Sequence, residues 1–369
     1  MAQALTSQPA SDIVRFFTRI RRRIPLESGN YPYATARVRA KKASLLSKDT
    51  YERMLQMEIP QIARVLGEGA YKEQILALGT KLSGVDLIET ATSRHLAAVF
   101  TQIIEFSEGE LRQMIGWYLD RFDVQNIKTI VRGKLFGATP EEVLEDIVAA
   151  GSMRESFLQS LVQEPTLEEV FDRLEGTIYA QALASLGETP STLKTWNEWE
   201  DLVTRLYYEN LIAVVPERTE STRLMREWVR REIDIVNLKT LLRLWAQKVT
   251  LPYDPFIDGG LELPKSAVAE MLAMDVNALG AGLREYPFAE DIAARLKDLQ
   301  ALGLGALVRS VEKIHLLTAG RQAHVHPLSV LPILDYIVRM EREVQNLRII
   351  ARGKESALPA EVIRDLLVV

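Results

Sequence analysis

The sequence predicts an all-α protein in which one helical unit occurs three times. Two observations lead to this prediction. No stretch alternates apolar and polar residues as a half-buried strand does, and no hairpin turn joins two such stretches. Apolar residues instead recur at helical spacing, and one short pattern inside a long helical stretch is written three times.

The repeated pattern has an acid, an Asn three residues later, a basic residue at the fifth position after the acid and an Arg at the ninth. The acid and Asn of the three copies are Asp123 with Asn126, Asp234 with Asn237, and Glu343 with Asn346. The asparagines are 111 and 109 residues apart. This interval exceeds the roughly 20–50 residues of solenoid repeats, so a whole folding unit is repeated.

On a helical wheel the acid of each copy falls within the apolar arc, Asn lies at the arc's edge, and the two basic residues point away. A carboxylate on an apolar face must be paired or hydrogen-bonded. Each acid is therefore expected to find a basic side chain or backbone amides of an adjacent repeat. Two interpretations remain open: the trio forms a functional site, or each acid–Asn pair fastens one repeat to the next.

The first unit is assigned to residues 31–132 and follows a leader of residues 1–30. Ser47 is the expected N-cap of an early helix. The helices expected after it are 59–66, 71–78, 87–106 and a first motif helix over about 108–134.

The second unit, residues 133–243, opens with Thr139 followed by Pro140, which predicts an N-cap and the first helical position. Thr166 predicts another cap. A long amphipathic helix around Trp199 follows, and Ser221 is expected to lead into the second motif helix.

The third unit, residues 244–352, contains an insertion over 250–260 that predicts an irregular loop. Its helices resume at Leu263, and its motif helix is expected to begin within 327–336. Residues 353–369 open a fourth unit and stop, which predicts a partial repeat that packs back on the body.

Composition narrows the class of protein. The chain has 369 residues, 47% of them hydrophobic, and a mean hydropathy of −0.02, as expected of a globular protein with a sizeable core. It has no cysteine, which excludes disulfides and thiolate metal sites and fits a reducing compartment. No apolar run approaches the roughly 20 residues that span a bilayer, and the N-terminus lacks a signal-peptide core. Contact with a membrane surface is still allowed.

Charge is unevenly distributed. The net charge is −5, yet the first 42 residues carry nine basic and two acidic side chains. A basic start on an acidic body argues against general nucleic-acid binding. Residues 11–24 predict a basic amphipathic helix, which would lie on anionic lipid or dock on its own protein. The alternative is that this segment is a disordered tail. The candidates for lipid or ring contact are Arg15, Arg19, Arg21, Arg22 and Arg23.

Residues that support catalysis or cofactor binding are scarce. The chain has no phosphate-cradling Gly-x-x-x-x-Gly-Lys-Ser/Thr motif, and the pairs Gly280/Gly282 and Gly303/Gly305 indicate flexible helix ends. His315, His324 and His326 have no acid close in sequence, so a metal site is not expected. We therefore expect no active site, no cofactor and no metal.

The residues do carry a family resemblance. The segment from Tyr31 through Tyr33 to Ala36-Arg37-Val38-Arg39-Ala40 resembles the start of the C subunit of archaeal and bacterial V-type (A-type) ATP synthases. The three motif helices resemble that family's repeated helix, as does the segment 344–354. The eukaryotic counterpart is the d subunit of the vacuolar proton pump. The resemblance covers residues 31–369 and leaves the leader outside it.

The resemblance implies three helical units closed around a pseudo-threefold axis into a funnel-shaped single body. It also implies a non-catalytic central-stalk rotor subunit that seats the central shaft on the membrane ring of proteolipid subunits and couples ATP chemistry to proton or sodium movement. One copy is expected in a hetero-oligomeric complex, at the cytoplasmic face of the membrane without spanning it. The candidate shaft or ring contacts are Lys128, Arg132, Lys239, Arg243, Arg348 and Arg352; the other interpretation is that they pair with acids inside this protein.

Two other classes remain as alternatives. One is an all-α repeat scaffold for soluble protein partners, which would never purify with a membrane ring. The other is an all-α enzyme with a central cavity, which would hold a small ligand there.

Overall fold

A computed structural model describes residues 29–296 and 299–369, and in these ranges the chain is all-helical, as predicted. It contains eighteen α-helices and two short 3-10 helices, with no strand among the described residues. The expected leader helix and its five arginines lie outside the described residues. The chain divides into two compact units, one containing Glu108–Pro216 and the other Asn30–Ser107 with Glu217–Val369.

The unit formed by Glu108–Pro216 contains six α-helices. They are α6 (Gly109–Phe136), α7 (Pro140–Glu145), α8 (Glu155–Gln163), α9 (Leu167–Arg173), α10 (Ile178–Ser185) and α11 (Trp196–Val214). Helix α6 carries the first copy of the motif and packs along α11. In the core the rings of Phe171 and Trp199 meet edge to face at 5.7 Å, and the Trp199 indole donates to the Tyr179 carbonyl.

The other unit contains the remaining helices, from both ends of the chain. Its N-terminal helices are α1 (Tyr31–Lys42), α2 (Lys48–Leu55), α3 (Ile59–Glu68), α4 (Lys72–Leu78) and α5 (Gly84–Phe106). Its later helices are α12 (Glu220–Gln247), α13 (Lys265–Leu272), α14 (Val276–Arg284), α15 (Glu290–Arg295), α16 (Leu299–Val325), α17 (Leu331–Glu355) and α18 (Ala360–Leu366). Helices α12 and α17 carry the second and third copies of the motif. We call α6, α12 and α17 the motif helices.

Each motif helix packs along a long helix that we call its bracing helix, and the third motif helix also packs along α16. The pairs are α6 with α11, α12 with α16, and α17 with α5. For the third motif helix the bracing helix comes from the N-terminal part of the chain. Leucines of α12 also pack on α13, α14 and α15 through Val268, Leu279 and Ile292 in one apolar cluster.

Several helix starts follow the cap residues read from the sequence. The Ser47 hydroxyl accepts the Thr50 N–H, Thr166 accepts the Glu169 N–H, and Thr139 forms a reciprocal capping box with Glu142. The second motif helix begins slightly earlier than expected: it is capped by Thr219, and Ser221 lies inside its first turn. Thr219 takes the extended backbone that a cap needs, and its hydroxyl accepts the Thr222 N–H.

Two glycine pairs were expected at helix ends: Gly303 lies where two helical segments meet at a kink, whereas Gly280 and Gly282 lie inside a helix. Gly303 has φ 75° and ψ 159°, which kinks the long bracing helix Leu299–Val325 near its start. Gly280 and Gly282 lie within helix α14, where Gly280 is buried. The loop over 250–260 is irregular, as predicted, and the third motif helix begins at Leu331, inside the predicted window.

Candidate functional site

The three motif acids are buried, and each accepts hydrogen bonds from residues of the same compact unit of the structure. Asp123 Oδ2 accepts the Ser152 N–H at 2.7 Å, the Ser152 hydroxyl at 2.9 Å and the Met153 N–H at 3.0 Å. Asp234 accepts the N–H groups of three successive residues, Leu261, Glu262 and Leu263, at 2.9–3.2 Å. Backbone amides therefore bind both of these carboxylates, and they are one of the two donor types expected from the sequence.

Glu343 uses its extra methylene to reach different donors. It accepts the N–H of Leu46 at 2.5 Å and the hydroxyl of Tyr71 at 2.6 Å, both from the N-terminal part of the chain. Burial raises the pKa of Glu343, while these two donors oppose the rise. The pKa of Asp234 is raised to about 6 by burial, and the Glu262 and Leu263 amides lower it in part.

Each motif Asn pairs with both backbone groups of a single residue. The Asn126 amide donates to the Val148 carbonyl at 2.8 Å and accepts the Val148 N–H at 2.9 Å. Asn237 does the same with Ile257, and Asn346 with Val368. The residue held lies 22, 20 and 22 positions after the Asn. The motif therefore fixes a returning chain segment by the same two bonds in all three copies.

Two glycines make room for the shorter acids. A Cβ on Gly151 would overlap the carboxylate of Asp123, and one on Gly260 would overlap that of Asp234 and crowd the Leu263 carbonyl. Glycine is therefore required where the loop backbone passes directly over an aspartate. These glycines lie 28 and 26 residues after their acids. The sequence alone does not single them out, because the spacing has a meaning only when the loop that binds the acid is known.

The fifth-position bases contact the bracing helices. Lys128 bonds to the hydroxyl of Thr204, Lys239 bonds to Glu312 at 2.8 Å, and Arg348 donates to the hydroxyl of Ser93 at 2.7 Å. Lys128 is buried, although the helical wheel places it away from the apolar arc. Burial lowers its pKa to about 8, and the acids Glu200 and Asp201 work against that shift.

The ninth-position arginines behave differently from one another. Arg132 forms a bidentate pair with Glu200 at 2.7 and 2.8 Å, and Arg352 pairs with both oxygens of Glu89. Arg243 is exposed, and its side chain has no hydrogen bond or ion pair within the described ranges.

The register of the bracing helices explains this difference. On the first bracing helix, Glu200 binds the ninth-position Arg and lies four residues before Thr204, which binds the fifth-position base. On the third, Glu89 and Ser93 have the same roles and the same spacing. On the second bracing helix the corresponding residue, four before Glu312, is Val308. The second bracing helix therefore carries no acid at the position where the other two carry Glu200 and Glu89.

One repeated contact was not found in the sequence. Lys134 donates to the Val162 carbonyl at 2.7 Å, and Lys354 donates to the Leu55 carbonyl at 2.9 Å. At the equivalent place in the second motif helix stands Trp245, whose indole N–H donates to the Met274 carbonyl at 2.8 Å. The three positions share the role of donor to a backbone carbonyl, but one of them is Trp and two are Lys, so the sequence shows no common pattern there.

His315 and His326 contact different acidic residues and do not form a common site. His326 lies 3.2 Å from Glu220, and His315 lies 3.6 Å from Glu232 beside the ring of Trp228. Within the described part of the chain, no three His, Asp or Glu side chains come together as a metal site would require. The same residues include no helix that is both long enough and apolar enough to cross a bilayer.

These contacts define a structural site, in which polar side chains hold loops and bracing helices in place. A family model described as ATP synthase (C/AC39) subunit matches residues 34–366. The chain belongs to this family and is a structural, non-catalytic subunit of a V/A-type ATPase.

Curated relatives agree over nearly their full length. The chain is 38% identical to the A-type ATP synthase C subunit of Methanococcoides burtonii, covering 93% of this chain and 95% of the relative. It is 36% identical to the same subunit of Haloferax volcanii, over 92% and 98%. With the subunit of Archaeoglobus fulgidus the identity is 33%, over 92% and 96%.

Proposed function

We propose that this chain is the central-stalk rotor subunit of its ATPase: it seats the central shaft on the membrane proteolipid ring and transmits torque between ATP chemistry and proton or sodium movement. One copy per complex works at the cytoplasmic face of the membrane as a peripheral subunit. Its body comprises the repeats 31–132, 133–243 and 244–352, with 353–369 packing back on them, closed into a funnel.

The observation that carries the proposal is the repeated two-sided fastening of the motif helices. On one side the acid and Asn hold a loop, and on the other the basic residues hold the bracing helix. Buried hydrogen bonds to charged groups each contribute about 1.5–3 kcal/mol, so several per motif helix resist sliding. A rotor coupler needs such stiffness and needs no catalytic residue.

Arg243 is the proposed shaft contact of greatest interest. It is exposed and lacks the acid that engages Arg132 and Arg352, so its charge is available to an acidic group of another subunit. The other candidates, Lys128, Lys239 and Arg348, already serve the bracing helices. The leader arginines, Arg15, Arg19, Arg21, Arg22 and Arg23, remain candidates for the ring or lipid side.

Mild-detergent purification of the tagged chain from its native membranes, with mass spectrometry of the bound proteins, tests the proposal. We expect catalytic head, shaft and proteolipid subunits in one assembly. Recovery of soluble proteins alone would favour the all-α scaffold and overturn the rotor assignment.

The interface is tested by charge reversal in the same purification. Arg243→Glu is expected to reduce recovery of the shaft subunits while the helical content of the isolated chain stays unchanged. The matched control is Glu209→Lys, an exposed reversal on α11 outside the six candidates, which should retain the shaft. If both variants retain shaft subunits equally, Arg243 is not a shaft contact.

A further inference from the structure

The first motif helix buries a second carboxyl group beside its motif acid. Asp120 and Asp123 lie one turn apart on α6 and are 5% and 2% exposed. Asp123 Oδ2 accepts three hydrogen bonds, whereas Oδ1 of Asp123 and Oδ1 of Asp120 accept none. Two buried acceptor oxygens are thus left without a donor, which native interiors normally avoid.

A third polar group shares this enclosed space. Tyr179 on α10 is fully buried, and its hydroxyl has no hydrogen-bond partner. Burial raises the pKa of Tyr179, and the charges of Asp123 and Asp120 raise it further, which places the phenol in the field of both carboxyls. The phenol therefore stays un-ionised and adds no negative charge to the two carboxyls.

The other two copies of the motif have no acid at this place. The residue three before the acid is Arg231 in the second copy and Met340 in the third. Arg231 pairs with Glu262, and Met340 is buried. The fastening of the loop by the motif acid therefore does not depend on a neighbouring carboxyl, and Asp120 is an added feature of the first copy.

Among the residues that the structure describes, no positively charged side chain pairs with Asp120 or Asp123. Four charged groups on the elements packed against α6 are engaged elsewhere: Glu200 with Arg132, Arg173 with Glu164, Glu142 with the Thr139 N–H, and Glu155 with Gln159. Two adjacent carboxylates in such a place repel each other and are both desolvated, so one of them is far more stable with a proton.

We propose that Asp120 and Asp123 together bind one proton at neutral pH, carried by Asp120, in a closed site completed by Tyr179. Asp123 remains ionised because three donors from Ser152 and Met153 stabilise its charge. The protonated carboxyl of Asp120 has an O–H group, which is a hydrogen-bond donor that the two ionised carboxylates lack. Burial, and then the charge of Asp123, raise the pKa of Asp120 well above its usual range, although the hydroxyl and N–H of Ser152 oppose the rise.

The proton links this loop to pH. The unfolded carboxyl has a pKa of about 3.9, and the folded one is raised, so folding retains a proton that the unfolded chain releases. The stabilisation is complete below the unfolded pKa and is lost as pH rises through the folded pKa. Above that point both carboxyls are charged, and the hold of Asp123 on Ser152 and Met153 weakens.

Asp120→Asn in the full-length chain tests the proposal because the amide keeps the shape of a protonated carboxyl and cannot ionise. Hydrogen exchange of a peptide containing Ser152 and Met153, corrected for the intrinsic rate, should show protection falling with pH in the wild type. One proton corresponds to about a tenfold change in protection per pH unit. In Asp120→Asn, protection should fall about tenfold less per pH unit than in the wild type, and protection at pH 8 should be higher than in the wild type. The exposed control Asp291→Asn should match the wild type.

A spectroscopic measurement does not depend on stability. The infrared band of an un-ionised carboxyl group should be present at pH 8 in the wild type and weaker in Asp120→Asn. An unchanged band, or equal protection profiles, would show that Asp120 is ionised and overturn the proposal. If added Na⁺, K⁺ or Ca²⁺ protects the loop in the wild type and not in Asp120→Asn, the site holds a cation instead, which also overturns it.

Discussion

The side chain of Asn237 holds the backbone of Ile257 with both of its polar groups, donating to the carbonyl at 2.8 Å and accepting the N–H at 2.9 Å. Both residues are buried, at 1% and 2% exposure. Water cannot replace the lost bonds when such an amide is removed. The pair therefore sets how firmly the segment that follows the second motif helix is attached.

Asn237→Ala should lower the free energy of unfolding by about 2–4 kcal/mol, since it leaves a buried N–H and a buried carbonyl unsatisfied. Denaturant unfolding and hydrogen exchange of the segment around Ile257 measure the effect. The exposed control Asn277→Ala should change stability by less than about 0.5 kcal/mol. Equal effects of the two substitutions would mean that the Ile257 bonds contribute nothing.

Gly151→Ala should destabilise its unit by several kcal/mol, because the added methyl group overlaps the buried Asp123 carboxylate and neither can move into solvent. The matched control is Gly116→Ala in the same motif helix, where a Cβ meets no atom within 4 Å. Alanine is the better helix former, so the control should gain about 0.5–1 kcal/mol. Thermal unfolding of both variants tests the pair, and a tolerated Gly151→Ala would contradict the close approach.

Lys248→Gly and Ala357→Gly should each stabilise the chain by about 0.5–1 kcal/mol. Both residues follow a motif helix in the left-handed region, with φ of 53° and 52°, where side chains are strained. The first motif helix has Gly137 at the equivalent place, with φ 73°. Gly137→Ala should therefore lower the free energy of unfolding by about 1 kcal/mol. The unfolding midpoints of the three variants test whether the left-handed backbone at these positions is strained for residues other than glycine.

Val308→Glu should give Arg243 the intramolecular acid that Arg132 and Arg352 already have. In the other two pairs the arginine binds the acid four residues before the partner of the fifth-position base, and position 308 is four residues before Glu312, the partner of Lys239. If Arg243 binds the shaft, this substitution should weaken recovery of shaft subunits much as Arg243→Glu does. Full recovery with Val308→Glu, alongside loss with Arg243→Glu, would mean that the new acid does not reach the arginine.

Local chemistry made much of the fold predictable. Ser47, Thr139 and Thr166 cap helices as their sequences indicate, because a cap depends on a few adjacent residues. The motif acids were expected to need donors because burial of an unpaired carboxylate is costly. Which backbone amides they bind was not predictable, since those amides lie 29–30 residues away from Asp123 and nearly 300 from Glu343.

Other features depend on register between helices, which one sequence does not reveal. Trp245 takes the role of Lys134 and Lys354 only because its indole N–H arrives at the same carbonyl position. The absence of an acid opposite Arg243 becomes visible only when the bracing helices are aligned by their contacts. The burial of Lys128 has the same origin, because Thr204 on the bracing helix covers it.

The attachment of the third motif helix to the N-terminal part of the chain has a consequence for biosynthesis. The loop contacts of the first motif helix close within 30 residues, so its unit can fold while the rest of the chain is still being made. Glu343, however, joins Leu46 and Tyr71 across 297 and 272 residues. The early helices of that unit must therefore wait, with Tyr71 without its Glu343 partner, until translation is nearly complete, and contacts so distant in sequence are expected to make this unit fold slowly.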